Sequence, residues 1–160
     1  MQRIMIVSDT HRKTANLAEA IALEGTLDML IHLGDIEGDE DVVAELAKCE
    51  VKIVAGNCDF VTQLPREMEI ELAGKKVLLA HGNYYLVTID LQMLRQECID
   101  RNIDIAMFGH THKPLIQVED EITFINPGSI SYPRQFDKHC TYIMLEISDE
   151  GEFNFTLKSL

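Results

Sequence analysis

Residues 3–11 read Arg-Ile-Met-Ile-Val-Ser-Asp-Thr-His, four apolar side chains running straight into the polar break Ser8-Asp9-Thr10-His11. So short an unbroken apolar run fits a strand buried on both faces, the kind found inside parallel sheets. Thr14 then offers an N-cap for a helix reaching Glu24, with Gly25 placed to stop it and Leu17 and Ile21 four apart on its inward stripe. Met29–Leu33 is a second apolar run, and Asp39 can cap a helix carrying Val42, Val43 and Leu46. Val51–Ala55 reads as a third strand of buried character. Strands alternating with helical patterns of this length predict βαβ units and a largely parallel sheet.

The rhythm changes in the second half. Glu67–Leu72 and Lys76–Ala80 flank Ala73-Gly74 and predict a hairpin, and Asp90 is placed to cap a helix through Arg101 with Leu91, Leu94 and Cys98 on one face. Ile105–Phe108, Leu115–Val118, Ile122–Ile125, Thr141–Ile147 and Phe153–Leu157 then read mostly as strands joined by tight polar turns. The fold class expected is α/β: a four-layer α/β/β/α sandwich of two mixed sheets with flanking helices. With no internal repeat, low-complexity tract or Pro/Ser-rich linker, residues 1–160 read as one domain with no cap domain.

Of the 160 residues 46% are hydrophobic and 26% charged, which excludes a disordered chain. Fourteen basic against 27 acidic side chains leave a net charge of −13. Such a surface repels phosphate backbones and argues against long nucleic acid as a partner, so any phosphate chemistry needs its own local positive charge. Cys49, Cys58, Cys98 and Cys140 form no C-x-x-C pair, which speaks against a thiolate zinc site or a disulfide scaffold and fits a reducing compartment. No signal-peptide layout follows the first apolar run, and no stretch approaches the ~20 apolar residues of a spanning helix. The expectation is a cytoplasmic protein with no membrane partner.

Polar breaks recur where strands end. After the first strand comes Asp9-x-His11, after the second Gly34-Asp35, and after the third Gly56-Asn57-Cys58-Asp59. The hairpin's second strand ends in His81-Gly82, and the strand at Phe108 runs into Gly109-His110-Thr111-His112. The carboxyl edge of an α/β sheet is where ligands bind. Singly, each cluster is an ordinary turn beside a histidine; a His-x-His on an extended segment would point both rings the same way. Together they collect four of the six histidines, two carboxylates and an amide. Imidazole and carboxylate donors without thiolate suit Mn, Fe, Zn, Ni or Co. Seven donors exceed one tetrahedral site, whereas two divalent ions sharing a bridging carboxylate would use them all. Two dications also outweigh Asp9 and Asp35, which supplies the missing positive charge.

At these residues the sequence resembles the calcineurin-like metallophosphoesterase superfamily. The match runs in order through Asp9-x-His11, Gly34-Asp35, Gly56-Asn57, His81-Gly82 and Gly109-His110-x-His112. Asn126-Pro127-Gly128-Ser129 and the short length make it more similar to the small single-domain YfcE-type phosphodiesterase branch. The resemblance implies that Asp9, His11 and His112 hold one metal, that Asn57, His81 and His110 hold the other, and that Asp35 bridges. It further implies a bridging hydroxide as nucleophile, manganese foremost among the possible metals, and a homodimer or homotetramer. Asp35, His110 and Asn57 are then the candidate catalytic residues, and Arg134, Ser129 and Asn126 the candidate contacts to a small phosphodiester substrate. Two departures stand out: Cys58 follows Asn57, and Asn83 follows His81-Gly82, where many relatives carry histidine.

His32 reads as a buried, hydrogen-bonded core residue and His139 as a surface one. Tyr84 and Tyr85 could stack on a base or aromatic ester, or simply cover the core. The functional expectation is a phosphodiesterase. The alternatives are a non-catalytic protein-binding scaffold of the same fold and a nuclease or cyclic-nucleotide phosphodiesterase.

Overall fold

The computed structural model describes residues 1–160. Ten strands form two five-stranded mixed sheets. The first contains β1 (Gln2–Val7), β2 (Met29–His32), β3 (Glu50–Ile53), β9 (Thr141–Ile147) and β10 (Phe153–Ser159), in the order β10-β9-β1-β2-β3. The second contains β4 (Glu67–Leu72), β5 (Lys75–Ala80), β6 (Ile105–Met107), β7 (Pro114–Glu119) and β8 (Ile122–Pro127), in the order β4-β5-β6-β8-β7. Strands β1, β2 and β3 run parallel, as do β5, β6 and β8, while the remaining neighbours pair antiparallel. Helices α1 (Ala15–Glu24) and α2 (Glu40–Ala47) connect the parallel strands of the first sheet, and α3 (Gln92–Arg101) connects β5 to β6.

The period-two alternation of strand side chains explains the unbroken apolar runs. Ile4 and Ile6 of β1 face the second sheet and pack with Ile31, Val77, Leu79, Met107 and Ile125 between the two layers. Met5 and Val7 of the same strand face outward and pack with Leu17 and Ala20 of α1 and Val43 and Ala47 of α2. Leu78, Ala106 and Phe124 turn to the opposite outer face, against Leu94 and Cys98 of α3. Both surfaces of the central strands are therefore dry, and four layers result.

Three local expectations are adjusted. Strand β3 lies at the edge of its sheet, so Val51–Ile53 are only half-buried and the core contact falls to Val54. Helix α3 starts at Gln92, and the Asp90 carboxylate accepts the Gln92 N–H (2.9 Å), an Asx turn before the first helical residue. A short 3₁₀ turn over Asn83–Tyr85, where only a loop was expected, follows β5. All six parallel strands end at one edge, which brings together five segments distant in sequence. No helix is long and apolar enough to cross a membrane.

Candidate metal centre

Asp9 is the fixed point of that edge. It is fully buried, and its Oδ2 accepts the Ser8 hydroxyl (2.6 Å) and the His110 backbone N–H (3.1 Å). Its Oδ1 is buried with no hydrogen-bond donor, yet it faces three imidazole nitrogens: Nε2 of His112 at 3.2 Å and Nε2 of His11 and of His81 at 3.8 Å each. An unpartnered buried carboxylate oxygen is costly unless a cation compensates it. Asp35 Oδ1 accepts the Cys58 N–H (2.8 Å), while its Oδ2 lies 3.3 Å from His81 Nε2 and 3.6 Å from His11 Nε2. Asp35 thus reaches both halves of the cluster.

The imidazoles are aimed by what their far nitrogens touch. His81 Nδ1–H donates to the Leu33 carbonyl (2.7 Å) and His112 Nδ1–H to the Tyr132 carbonyl (2.6 Å). A carbonyl only accepts, so in each neutral ring Nε2 carries the bare lone pair. His11 Nδ1 is held by Glu37 Oε2 at 2.9 Å. The inner nitrogens then meet in pairs, His11 Nε2 with His112 Nε2 at 3.3 Å and His81 Nε2 with His110 Nδ1 at 3.2 Å. His11 and His112, whose outer nitrogens face a carboxylate and a carbonyl, turn two bare lone pairs toward each other, and these repel unless a cation sits between them. The donor set therefore fits divalent metal: two nitrogen pairs, with Asp9 and Asp35 beside them.

The backbone here is strained. Asp9, His11, Asp35, His110 and His112 all have φ between 46° and 68°, the left-handed region that non-glycine residues seldom occupy. Such strain concentrates where function over-determines geometry. It also corrects one expectation: His110-Thr111-His112 is not extended, and the two rings serve different halves of the cluster. Gly109 and Gly56 are needed for a different reason than φ. A Cβ on Gly109 would overlap the Ser8 hydroxyl and approach Asp9 Oδ2, and one on Gly56 would overlap Asp35.

Burial works to raise the pKa of Asp9, but His112 and His81 outweigh it and hold the carboxyl below the usual carboxylate range. Burial opposes ionisation of Asp35 as well, and His81 together with the Cys58 N–H reverses the balance. Both are acceptors throughout the neutral range. Burial and then His81 lower the pKa of His110, keeping it neutral and able to donate a lone pair. His81 goes the other way: despite its burial, Asp35 and Asp9 raise its pKa.

Six of the seven expected ligands converge. Asn57 is the exception: it is exposed on the loop after β3, and its amide lies against Cys58 Sγ (3.6 Å). Cys58 Sγ instead approaches the Asp35 and His11 donor atoms. Burial and the Asp35 carboxylate push that thiol up to about 11, so it stays protonated at neutral pH.

Ser129 and Asn126 are corrected from substrate contacts to positioning residues. Both are buried, and their polar atoms are used inside the protein. Ser129 Oγ donates to the Asp9 carbonyl (2.8 Å) and accepts the Tyr132 N–H (2.7 Å). Asn126 Nδ2 donates to the Gly109 carbonyl and to Thr111 Oγ1, each at 3.0 Å, which clamps the His110–His112 loop. Arg134 does line a cavity beside His11 and His112, whereas His139 is exposed on the segment beyond it. Tyr84 and Tyr85 line a separate, smaller cavity next to His81. His32 is fully buried, its Nδ1 accepting the Gly34 N–H (3.2 Å) and its Nε2 facing Thr10 Oγ1 (3.0 Å).

Three contributors escaped the sequence reading. Glu37, two residues past Asp35, holds His11. Asp59 accepts the backbone N–H groups of Asp35, Gly56 and Glu37 at 2.6–2.8 Å and so joins the loops after β2 and β3. The Tyr132 carbonyl sets the tautomer of His112. An acidic residue in each Gly-rich strand-end cluster was the available signal for the first two; a backbone carbonyl leaves none.

The model of the calcineurin-like phosphoesterase superfamily domain matches residues 2–150. The chain belongs to the calcineurin-like phosphoesterase superfamily. Among relatives of this phosphoesterase-superfamily chain, the probable metallophosphoesterase MJ0623 of Methanocaldococcus jannaschii is 35% identical, over 82% of this chain and 69% of that protein. Phosphodiesterase YfcE of Escherichia coli K12 is 28% identical, with 84% and 82% covered. Among solved structures, a conserved protein of Streptococcus pneumoniae TIGR4 described as a predicted phosphoesterase superposes with TM-score 0.80 at 28% identity, covering 99% and 98% of the two chains. Vps29 from Entamoeba histolytica shares the fold at 23% identity and TM-score 0.79, with 99% of each chain covered.

Proposed function

We propose that this chain is a metal-dependent phosphodiesterase acting on small phosphodiesters at a centre of two divalent ions. Asp9, His11 and His112 would hold one ion and His81 and His110 the other, with Asp35 shared and Asn57 swinging in from its exposed loop. One observation carries the reading: a buried, donor-free Asp9 oxygen faces three imidazole nitrogens, two of them in rings whose other nitrogen is pinned by a backbone carbonyl. Divalent ions supply such a site with a water-derived nucleophile at neutral pH and with positive charge for the phosphoryl oxygens. The chain's own groups orient the donors, keep both carboxylates ionised and keep His110 neutral. The relatives named as a probable metallophosphoesterase and as a phosphodiesterase support the same chemistry.

Manganese is the first metal to test, followed by Ni, Zn, Fe and Co. Asp9→Asn and His110→Ala should each abolish Mn-dependent hydrolysis of bis(p-nitrophenyl) phosphate while leaving the circular dichroism spectrum native. Wild-type rates in either variant would contradict the proposal. A scaffold without metal is the opposing reading, and it gives no account of why a buried carboxylate oxygen lacks a donor.

A further inference from the structure

Beside the metal centre opens a cavity of about 770 Å³, with His11 and His112 on its inner side. That volume suits a whole small ligand and far exceeds a single phosphoryl group. Its outer wall carries Arg12, Arg134 and Lys138 against one carboxylate, Glu37, which is already engaged by His11. None of the three cations forms an ion pair. Only Arg12 is tied down at all, through Nε to the Glu37 carbonyl (3.1 Å). Behind them Lys13 lies over the Tyr132 ring, 4.3 Å from its centroid.

This is unusual for the chain. Of its fourteen basic side chains, Arg3, Lys52, Lys76, Arg95, Arg101 and Lys158 pair with carboxylates. Three of the remaining eight line this one cavity, and a fourth, Lys13, stacks on its Tyr132, in a protein of net charge −13. A phosphodiester carries a single negative charge, and the ions of the centre face it already. Three further cations, none of them in an ion pair, exceed what the scissile group needs.

We infer that this cavity is a subsite for a second phosphoryl group carried on one ester arm of the substrate, gripped by Arg12, Arg134 and Lys138. The inference rests on the phosphodiesterase reading and adds the substrate class: small diesters that bear a further terminal phosphate. Guanidinium groups bind such a dianion through paired N–H donors, and Lys138 adds a point charge. The Tyr132 ring, edge-on to His11 with centroids 5.5 Å apart, lines the same cavity and offers a wall along which the connecting arm would lie.

The test compares p-nitrophenyl thymidine 5′-phosphate with the same ester bearing a 3′-phosphate, using Mn-loaded protein. Both release nitrophenolate, and they differ by one dianion. The 3′-phosphorylated ester should show a KM at least about tenfold lower with little change in kcat, the pattern of binding energy expressed equally in ground and transition states. In the double variants Arg134→Gln/Lys138→Gln and Arg12→Gln/Lys138→Gln the KM ratio should collapse toward one. A ratio near one in the wild type, or one that survives both double variants, overturns the subsite alone. Hydrolysis of bis(p-nitrophenyl) phosphate in the same preparation reports the underlying activity separately; its absence overturns the phosphodiesterase reading and the subsite with it.

Discussion

Glu37 Oε2 lies 2.9 Å from His11 Nδ1, so a carboxylate outside the ligand set holds a histidine whose Nε2 approaches both Asp9 and Asp35. A carboxylate in that position fixes the ring and raises its basicity toward a metal. Glu37→Ala should weaken Mn binding by about 10–100-fold while leaving the fold intact, because the Glu37 N–H still reaches Asp59. Calorimetric titration of Mn into metal-free protein checks this, and an unchanged affinity would remove Glu37 from the account.

Asp59 joins two loops through three backbone N–H groups. Asp59→Ala leaves those donors without their acceptor, at a cost on the order of 3 kcal/mol. For a chain of this size that lowers Tm by about 6–12 °C. Differential scanning calorimetry on metal-free protein should show the drop, with Mn affinity falling as well because Asp35 loses its backbone anchor.

Much of this arrangement was legible in the sequence. Central strands such as β1 and β2 are dry on both faces, so their apolar runs carry an unambiguous signal, and the Asp, His and Gly clusters follow them directly. The superfamily resemblance drawn from those clusters is shown by the matching family model. Other features depended on contacts no local pattern encodes. Val51 and Ile53 look as apolar as the residues of β1 and β2, but only the strand order reveals that β3 is an edge. Ser129 and Asn126 are hydrogen-bonding residues in a turn, and nothing local tells whether they face substrate or, as here, brace Asp9 and the His110 loop. The His110-Thr111-His112 backbone is left-handed at both histidines, a strain held by tertiary bonds to Asp9 and Tyr132.

The buried His32 makes metal-free stability depend on pH. Burial pushes its pKa down to about 4 from an ordinary 6.5, so the unfolded chain takes up this proton first as pH falls. Its contribution is complete above about pH 6.5 and is lost progressively as pH falls through 4. At pH 4.5 that loss is about 2–3 kcal/mol relative to pH 7. His32→Gln should be less stable at pH 7 and should lack this part of the slope, read by urea unfolding in EDTA at both values. Equal slopes in the two proteins would show that His32 takes up its proton as readily in the folded chain as in the unfolded one.

Cys58 stands where many superfamily members carry histidine, and its pKa of about 11 leaves it a poor proton donor to a departing alkoxide. Rates should therefore fall steeply as the leaving group becomes more basic. Cys58→His should raise the rate on an alkyl phosphodiester by roughly 10²-fold, at the low end of general-acid effects, and change nitrophenyl esters little. A leaving-group series across both proteins measures this. A flat dependence in the wild type would mean that another group protonates the leaving oxygen.

The central claim is that the carboxylates and imidazoles at the sheet edge form a metal centre. Stripped of metal, then dialysed against excess Mn and desalted, the protein should carry two Mn per chain by elemental analysis, and Asp9→Asn should carry fewer. A wild-type chain that leaves that dialysis without stoichiometric metal, having kept its native circular dichroism, would contradict the account.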